Sequence, residues 1–356
     1  MTWQLHPCTQ RAGHPGFAAH AAVWDDLQRR TTDTPFLEAT FIGPALEEFG
    51  NGRELLALHH NAQSGAVDAA AIVQPLGRGR WESFQPSQLP LGPWLAAADD
   101  DLAGRMQSLL SALPGLALGL GVTQLDPRLQ RRPTESATLR LLDYIDTPGL
   151  TIEGPFESYW EARGKNLRQN TRKQHKKLQT EGTEPRLECI TDPADVAAAL
   201  VDYGALESAG WKADNGTAIH PDNAQGRFYG RMLSAFCAQG RGRIVRYRFG
   251  DKVVSMDLCI DNGPLVVILK TTYDESYRSV SPSTLMRHDE FEAWWGEGRY
   301  QRIEFYGKTM EWHTRWTAEQ RRLYHATVYR WGWLQGVHER LARRLKAGAN
   351  AIELPA

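Results

Sequence analysis

Apolar and polar positions alternate along this chain in blocks that switch between the helical and the strand period. Val23, Trp24 and Leu27 share one face of a helix predicted over residues 18–30, Thr34 and Pro35 interrupt the pattern, and a second helix covers 43–49. Gly50, Asn51 and Gly52 read as a turn, followed by two antiparallel strands over 53–61 and 66–75 and a proline-rich strand and loop over 81–94. A helix over 99–113, a short strand over 116–123 and a closing strand over 138–145 complete the first half.

Asp146 to Gly149 and Glu153 to Pro155 carry turn residues and predict a boundary, after which a long helix is expected over 156–180 on a thin stripe of Phe156, Trp160, Leu167 and Leu178. A strand over 186–190, a helix from about Pro193 capped by Asp192, and a helix over 223–239 follow. Strands over 243–249 and 252–260 meet at Gly250-Asp251, and Asn262-Gly263 signals a hairpin into the apolar strand 264–272. A small-residue loop, Tyr273 to Ser283, leads into a helix over 284–295; strands over 302–306 and 323–331 and a helix over 334–346 end the chain. Both halves show helices, an antiparallel run, a helix, a strand and a closing strand, a weak internal repeat in element order. The expected domains are 1–150, 151–333 and a terminal helix and tail, 334–356.

Composition narrows the class. At 356 residues, 42% hydrophobic and 23% charged, the chain has the make-up of a soluble globular protein with two cores. A net charge of −1 gives no global pull toward a polyanion, so any basic function is local. Cys8, Cys189, Cys237 and Cys259 lack Cys-x-x-Cys spacing, and His59-His60 has no acid or cysteine at ligand spacing, so no metal is assigned. The amino terminus lacks a signal-peptide pattern and the most apolar later stretch, 109–122, is broken by Pro114, so a cytoplasmic protein is expected.

The strand–loop–helix at 264–295 is a natural anion site, because unpaired N–H groups and the positive end of a helix dipole converge on its loop. Together with Lys165-Asn166-Leu167-Arg168-Gln169-Asn170-Thr171-Arg172, Glu207-Ser-Ala-Gly210-Trp211-Lys212 and Tyr277-Arg278-Ser279-Val280-Ser281-Pro282, it resembles the GNAT acyltransferases, in particular the Fem-type and CelD-like branch built from tandem GNAT-like domains. The resemblance covers about residues 156–330 by motif and the first half by element order alone. It implies an α/β (α+β mixed) fold of two GNAT-like domains, each a mostly antiparallel sheet flanked by helices, and an acyl-CoA-dependent N-acyltransferase acting on an amine, such as an amino sugar or a cell-envelope or polysaccharide precursor. Acetyl-CoA or another acyl-CoA is the implied donor.

The resemblance puts the cofactor on Thr271, Thr272, Tyr277, Arg278, Ser279, Val280, Ser281, Pro282, Ser283 and Thr284. Ser283 stands where the branch usually has glycine, and the strand carries no carboxylate, so the base must come from elsewhere. Asp257 and Glu304 are the best-placed carboxylates, each with a structural role as the competing reading. Lys270 reaches either phosphate or solvent, and Tyr273 supplies a phenol to protonate a departing thiolate or packs on the helix. Trp211, Lys212 and His313 are candidates for the acceptor pocket, against core and surface roles. In the first half the matching helix opens with Asp99-Asp100-Asp101, which would repel a pyrophosphate, so that domain is expected to be degenerate.

Seven basic residues (163, 165, 168, 172, 173, 176 and 177) and no acid over 162–180 invite nucleic acid or an anionic lipid surface as partner, with a solvated face as the alternative. Fem-type enzymes that use aminoacyl-tRNA extend a two-helix arm from this region, and no second helix of matching length follows here, so that reading drops and nucleic acid is not the expected partner. Two rivals therefore stand beside acyl-CoA chemistry: an aminoacyl-tRNA-dependent transferase and a non-catalytic binding protein using the basic helix.

Overall fold

A computed structural model describes residues 2–209, 219–336 and 340. The first elements are β1 (Thr2–Pro7), α1 (Ala21–Thr31), α2 (Ala39–Phe49), β2 (Leu55–His60), β3 (Val67–Gly77), β4 (Arg80–Ser83), β5 (Trp94–Leu95), α3 (Leu102–Ala112), β6 (Gly119–Leu125) and β7 (Leu139–Thr151). Then follow α4 (Phe156–Glu161), α5 (Lys165–Thr180), β8 (Pro185–Ile190), α6 (Val196–Ala209), α7 (Ala224–Ala238), β9 (Gly242–Phe249), β10 (Lys252–Asp261) and β11 (Leu265–Tyr273). The last are α8 (Pro282–Glu297), β12 (Arg302–Glu304), α9 (Glu311–Thr314) and β13 (Gln320–Tyr329). The chain folds as two α/β units with mostly antiparallel sheets flanked by helices, and no helix among the described residues is long and apolar enough to cross a membrane.

Unit 1 comprises Met1–Thr32, Gly50–Ile145 and Arg322–Ala356. Its strands run in the order β1-β2-β3-β4-β6-β13, antiparallel except for β4 beside β6, the pair that α3 connects, while β5 joins β3 off this path. Met106, Leu109 and Leu110 of α3 are buried against Leu120, Val122 and Tyr324, and removing each aliphatic side chain from water contributes about 1.5–3 kcal/mol. Asp101 caps α3, its Oδ1 accepting from Gly104 N at 3.0 Å, and Arg105 reaches back to Asp100 Oδ2 at 2.7 Å. The first strand lies in a segment whose sequence pattern reads as irregular; His6 and Pro7 at its end hide the alternation that its pairing with β2 reveals.

Unit 2 comprises Asp33–Phe49 and Asp146–Arg321. Its strand order β8-β9-β10-β11-β12-β7 repeats the plan: an antiparallel run, one parallel pair (β11 with β12) joined by a helix (α8), and an antiparallel closing strand. Thus the repeat seen in element order is a repeat of topology.

Two features depart from the sequence reading. The closing strands are exchanged: β13 pairs with β6 in unit 1, whereas the end of β7 pairs with β12 in unit 2. Residues 146–151 are therefore strand rather than linker, and α2 belongs to unit 2, where Phe41 meets Phe228 and Glu47 and Glu48 hold Arg231 and Arg227. Alternation marks a strand without naming its partner, so a linear cut at 150/151 misassigns both closers. The helix expected over 156–180 is also two helices. Gly164 is the N-cap of α5, and Arg163 in the break sends Nη1 to the Trp316 carbonyl at 2.7 Å, beside the Tyr159 hydroxyl at 2.8 Å.

Candidate active site

The site in unit 2 begins with a fork between two parallel strands. Leu265, Val266 and Val267 pair with Arg302, Ile303 and Glu304, and beyond that β11 continues while β12 stops. Among the described residues the fork-side backbone of β11 past Val267 is thus without a strand partner, and backbone groups left this way bind something else. A cavity of about 280 Å³ opens there. Thr271 and Tyr273 of β11 form one wall, Arg278, Ser281, Ser283 and Thr284 another, and Trp312, Arg315 and Trp316 face them. Arg287 lines it as well, one helical turn beyond Ser283 and Thr284.

The loop is wound, which sorts its residues. Residues 275–280 form a 3-10 helix whose start is capped by Asp274, its carboxylate accepting from Ser276 N at 2.9 Å. Ser281 then takes φ 55° and ψ 56°, a left-handed conformation, and hands the chain to Pro282 at the first turn of α8. No side chain caps this helix start and its first turn holds no acid, so it lacks the carboxylate that α3 has in Asp101; the Thr284 and Leu285 amides are already bonded to the Ser281 carbonyl, at 2.9 and 3.2 Å. The winding brings Arg278, Ser281, Ser283 and Thr284 together with Thr271 and Tyr273. The others predicted beside them turn away. Val280 and Tyr277 pack with Phe249 and Leu285, Lys252 lies over the Tyr277 ring at 4.7 Å, Pro282 is buried, and the Ser279 carbonyl accepts from Gln174. Thr272 alternates to the opposite face, its carbonyl accepting from Ser255 Oγ at 2.9 Å.

The candidate bases sit in closed networks. Asp257 is fully buried and ion-paired to Arg287 Nη1, which also meets Glu290 Oε2 at 2.5 Å. Burial opposes the charge of Arg287, but the two carboxylates outweigh it and hold the guanidinium ionised. For Glu290, burial is the larger effect and pushes its carboxyl well above the ordinary range despite Arg287. Glu304 is also fully buried, held by Arg302 Nε and by Arg321 Nη2 at 2.8 Å. Lys270 points to the other face of β11, where its Nζ meets Glu207 Oε1 at 2.9 Å. None of Asp257, Glu304 and Lys270 lines the fork cavity. The periodicity that made them candidates does not say which face of the strand is open.

His313 lies behind Trp312, its ring stacked 3.6 Å from the indole, and its Nδ1 accepts from Met310 N at 2.9 Å. Burial and then the Arg287 charge lower its pKa to about 4, so it is neutral at physiological pH with Nε2 as its donor. Trp211 and Lys212 lie outside the described residues. Arg287, Arg315, Trp312 and Trp316 enter the site without having been singled out by sequence; the spacing of Ser283 and Arg287 along α8 is the one signal that could have found Arg287. A second cavity of about 520 Å³ adjoins the first through Ser281, Thr284 and Arg315 and is walled by Asn166, Asn170 and Gln174 of α5.

Residues 165–314 match the family described as Acetyltransferase (GNAT) domain. Unit 2 therefore contains a GNAT acetyltransferase domain. That domain makes the chain a transferase, and the fork and wound loop lie inside the matched stretch. A search of curated proteins found no match. Among solved structures the fold is similar to FemX, with a TM-score of 0.57 at 8% identity, covering 90% of this chain and 97% of that one. It is also similar to the C-terminal DUF2156 domain of a putative lysylphosphatidylglycerol synthetase from Agrobacterium fabrum, with a TM-score of 0.52 at 13% identity and coverage of 87% and 92%. A conserved protein of unknown function from Bacteroides thetaiotaomicron gives a TM-score of 0.55 at 11% identity, covering 87% of this chain and 97% of that one. The matched stretch thus sits in a fold similar to those of FemX and the DUF2156 domain.

Proposed function

We propose that unit 2 transfers an acyl group from an acyl-coenzyme A to an amine acceptor, with an amino sugar or cell-envelope precursor as the acceptor class. The observation that carries this reading is the fork: a partnerless strand edge, an uncapped helix start beside Arg278, and two adjoining cavities between them. The pyrophosphate would meet Ser281, Ser283, Thr284 and Arg278, and the pantetheine arm would follow the edge of β11. Amides near Thr271 would receive the carbonyl oxygen as it gains charge, and the Tyr273 hydroxyl, on the same wall, would return a proton to the departing thiolate. With Asp257, Glu304 and Lys270 engaged elsewhere, the acceptor amine would enter already deprotonated or lose its proton to water in the cleft.

Thermal shift and calorimetry with a panel of coenzyme A esters test this. We expect one ester to bind per chain, and Ser283→Asp, which puts a carboxylate into the acid-free first turn of α8, to weaken it by ~10-fold or more. Absence of any shift with every ester would overturn the reading.

A second reading, an aminoacyl-tRNA donor, is favoured by one observation. Arg168, Arg172 and Lys176 recur every four residues along α5 and line a groove of about 980 Å³, and among the described residues Arg172 and Lys176 make no ion pair. It requires binding of aminoacyl-tRNA that falls steeply with salt and no response to the esters.

A further inference from the structure

Away from the fork, α5 and α8 bring two imidazoles and a carboxylate together, and we propose that His175, His288 and Asp289 bind a first-row transition-metal dication of the zinc class. One ligand atom from each lies within 4.8 Å of the others. Asp289 Oδ1 is 2.8 Å from His288 Nδ1 and 3.6 Å from His175 Nε2. Ligands of a tetrahedral ion bound at ~2.0–2.1 Å lie ~3.4 Å apart, between those two separations.

The three groups are held in place by their surroundings. Asp289 Oδ2 accepts from the buried Tyr247 hydroxyl at 2.5 Å, which leaves Oδ1 toward the histidines. His288 is wedged edge-on against Trp160 at 4.5 Å and Phe156 at 5.4 Å. Such outer contacts are what orient metal ligands.

Two imidazoles and one carboxylate suit zinc, cobalt, iron or nickel rather than magnesium or calcium, which prefer oxygen alone. His175 and His288 also line the large groove beside α5, so the remaining coordination positions open to solvent. Arg168, Arg172 and Lys176 face the same groove. Their charge works against a bare dication and in favour of an anion as the exchangeable ligand. The competing arrangement is a His–Asp–His hydrogen-bond network holding no ion.

The test uses the full chain stripped with a chelator and titrated with Co²⁺, read by visible absorption, and with Zn²⁺, read by calorimetry, in the absence of any coenzyme A ester. One ion per chain is expected, with the d–d bands of a low-coordinate Co²⁺ site. The double variant His175→Gln/His288→Gln should weaken binding by ~100-fold or more, and Asp289→Asn should weaken it with the circular dichroism unchanged. No uptake by the wild type, or equal uptake by the double variant because another of the 11 histidines is responsible, would overturn the proposal.

Discussion

At the scale of single residues, the polar groups around the fork are defined by their partners. Asp257 and Glu304 are visible in the sequence as carboxylates in apolar strands, which is a sound reason to suspect chemistry. The guanidinium groups that hold them come from residues 287, 302 and 321, and only the fold brings the first and last of these within reach. His313 shows the same dependence. Its ordinary pKa of 6.5 falls to about 4 on folding, so between those values the unfolded chain binds a proton that the folded chain refuses. Its contribution to stability is intact above pH 6.5 and is lost as pH falls toward 4, at up to ~1.4 kcal/mol per pH unit. His313→Gln keeps an acceptor for Met310 N and removes the titration. Urea melts at pH 7 and pH 4.5 should show a smaller acid loss in the variant; an equal loss would mean that His313 titrates normally.

Among the elements, α8 and the turn before it set the geometry. The strand, the loop and the helix were legible because their apolar periods differ and Pro282 marks the start. The winding of 275–280 was not, since a 3-10 turn needs only local bonds that many sequences make. Ser281 carries the strain of that turn at φ 55°. Ser281→Gly should leave stability equal or raise it slightly, whereas Ser281→Val should cost about 1–2 kcal/mol, read as a lower midpoint in denaturant. Equal midpoints for both would show that the left-handed turn is not maintained in solution. The break between α4 and α5 follows the same logic: Gly164 hints at it, but the bond from Arg163 to the Trp316 carbonyl gives the break its purpose, anchoring the segment that faces β11 across the fork.

At the scale of the whole molecule, each sheet takes its last strand from beyond its own stretch of sequence. Residues 1–150 by themselves lack β13, leaving β6 an open edge and Leu120, Val122 and Leu125 without the cover of Tyr324, Ala326 and Val328. We expect that fragment to show no cooperative melt by circular dichroism and to aggregate, and a version with residues 320–331 appended through a flexible linker to regain a transition. A cooperative melt of the bare fragment would show that β13 is dispensable.

The sequence by itself determined the α/β class, nearly all the elements of unit 2, the doubled plan and the strand–loop–helix at 264–295, because these depend on periodicity, turn residues and local spacing. The tertiary structure alone decided which face of β11 is open, which carboxylates are already neutralised, which strand closes which sheet, and that His175 meets His288 and Asp289 across 113 positions of chain. The reason is physical: burial and charge pairing are properties of surfaces brought together through space, and the spacing of residues along one strand or helix carries no record of what it will face.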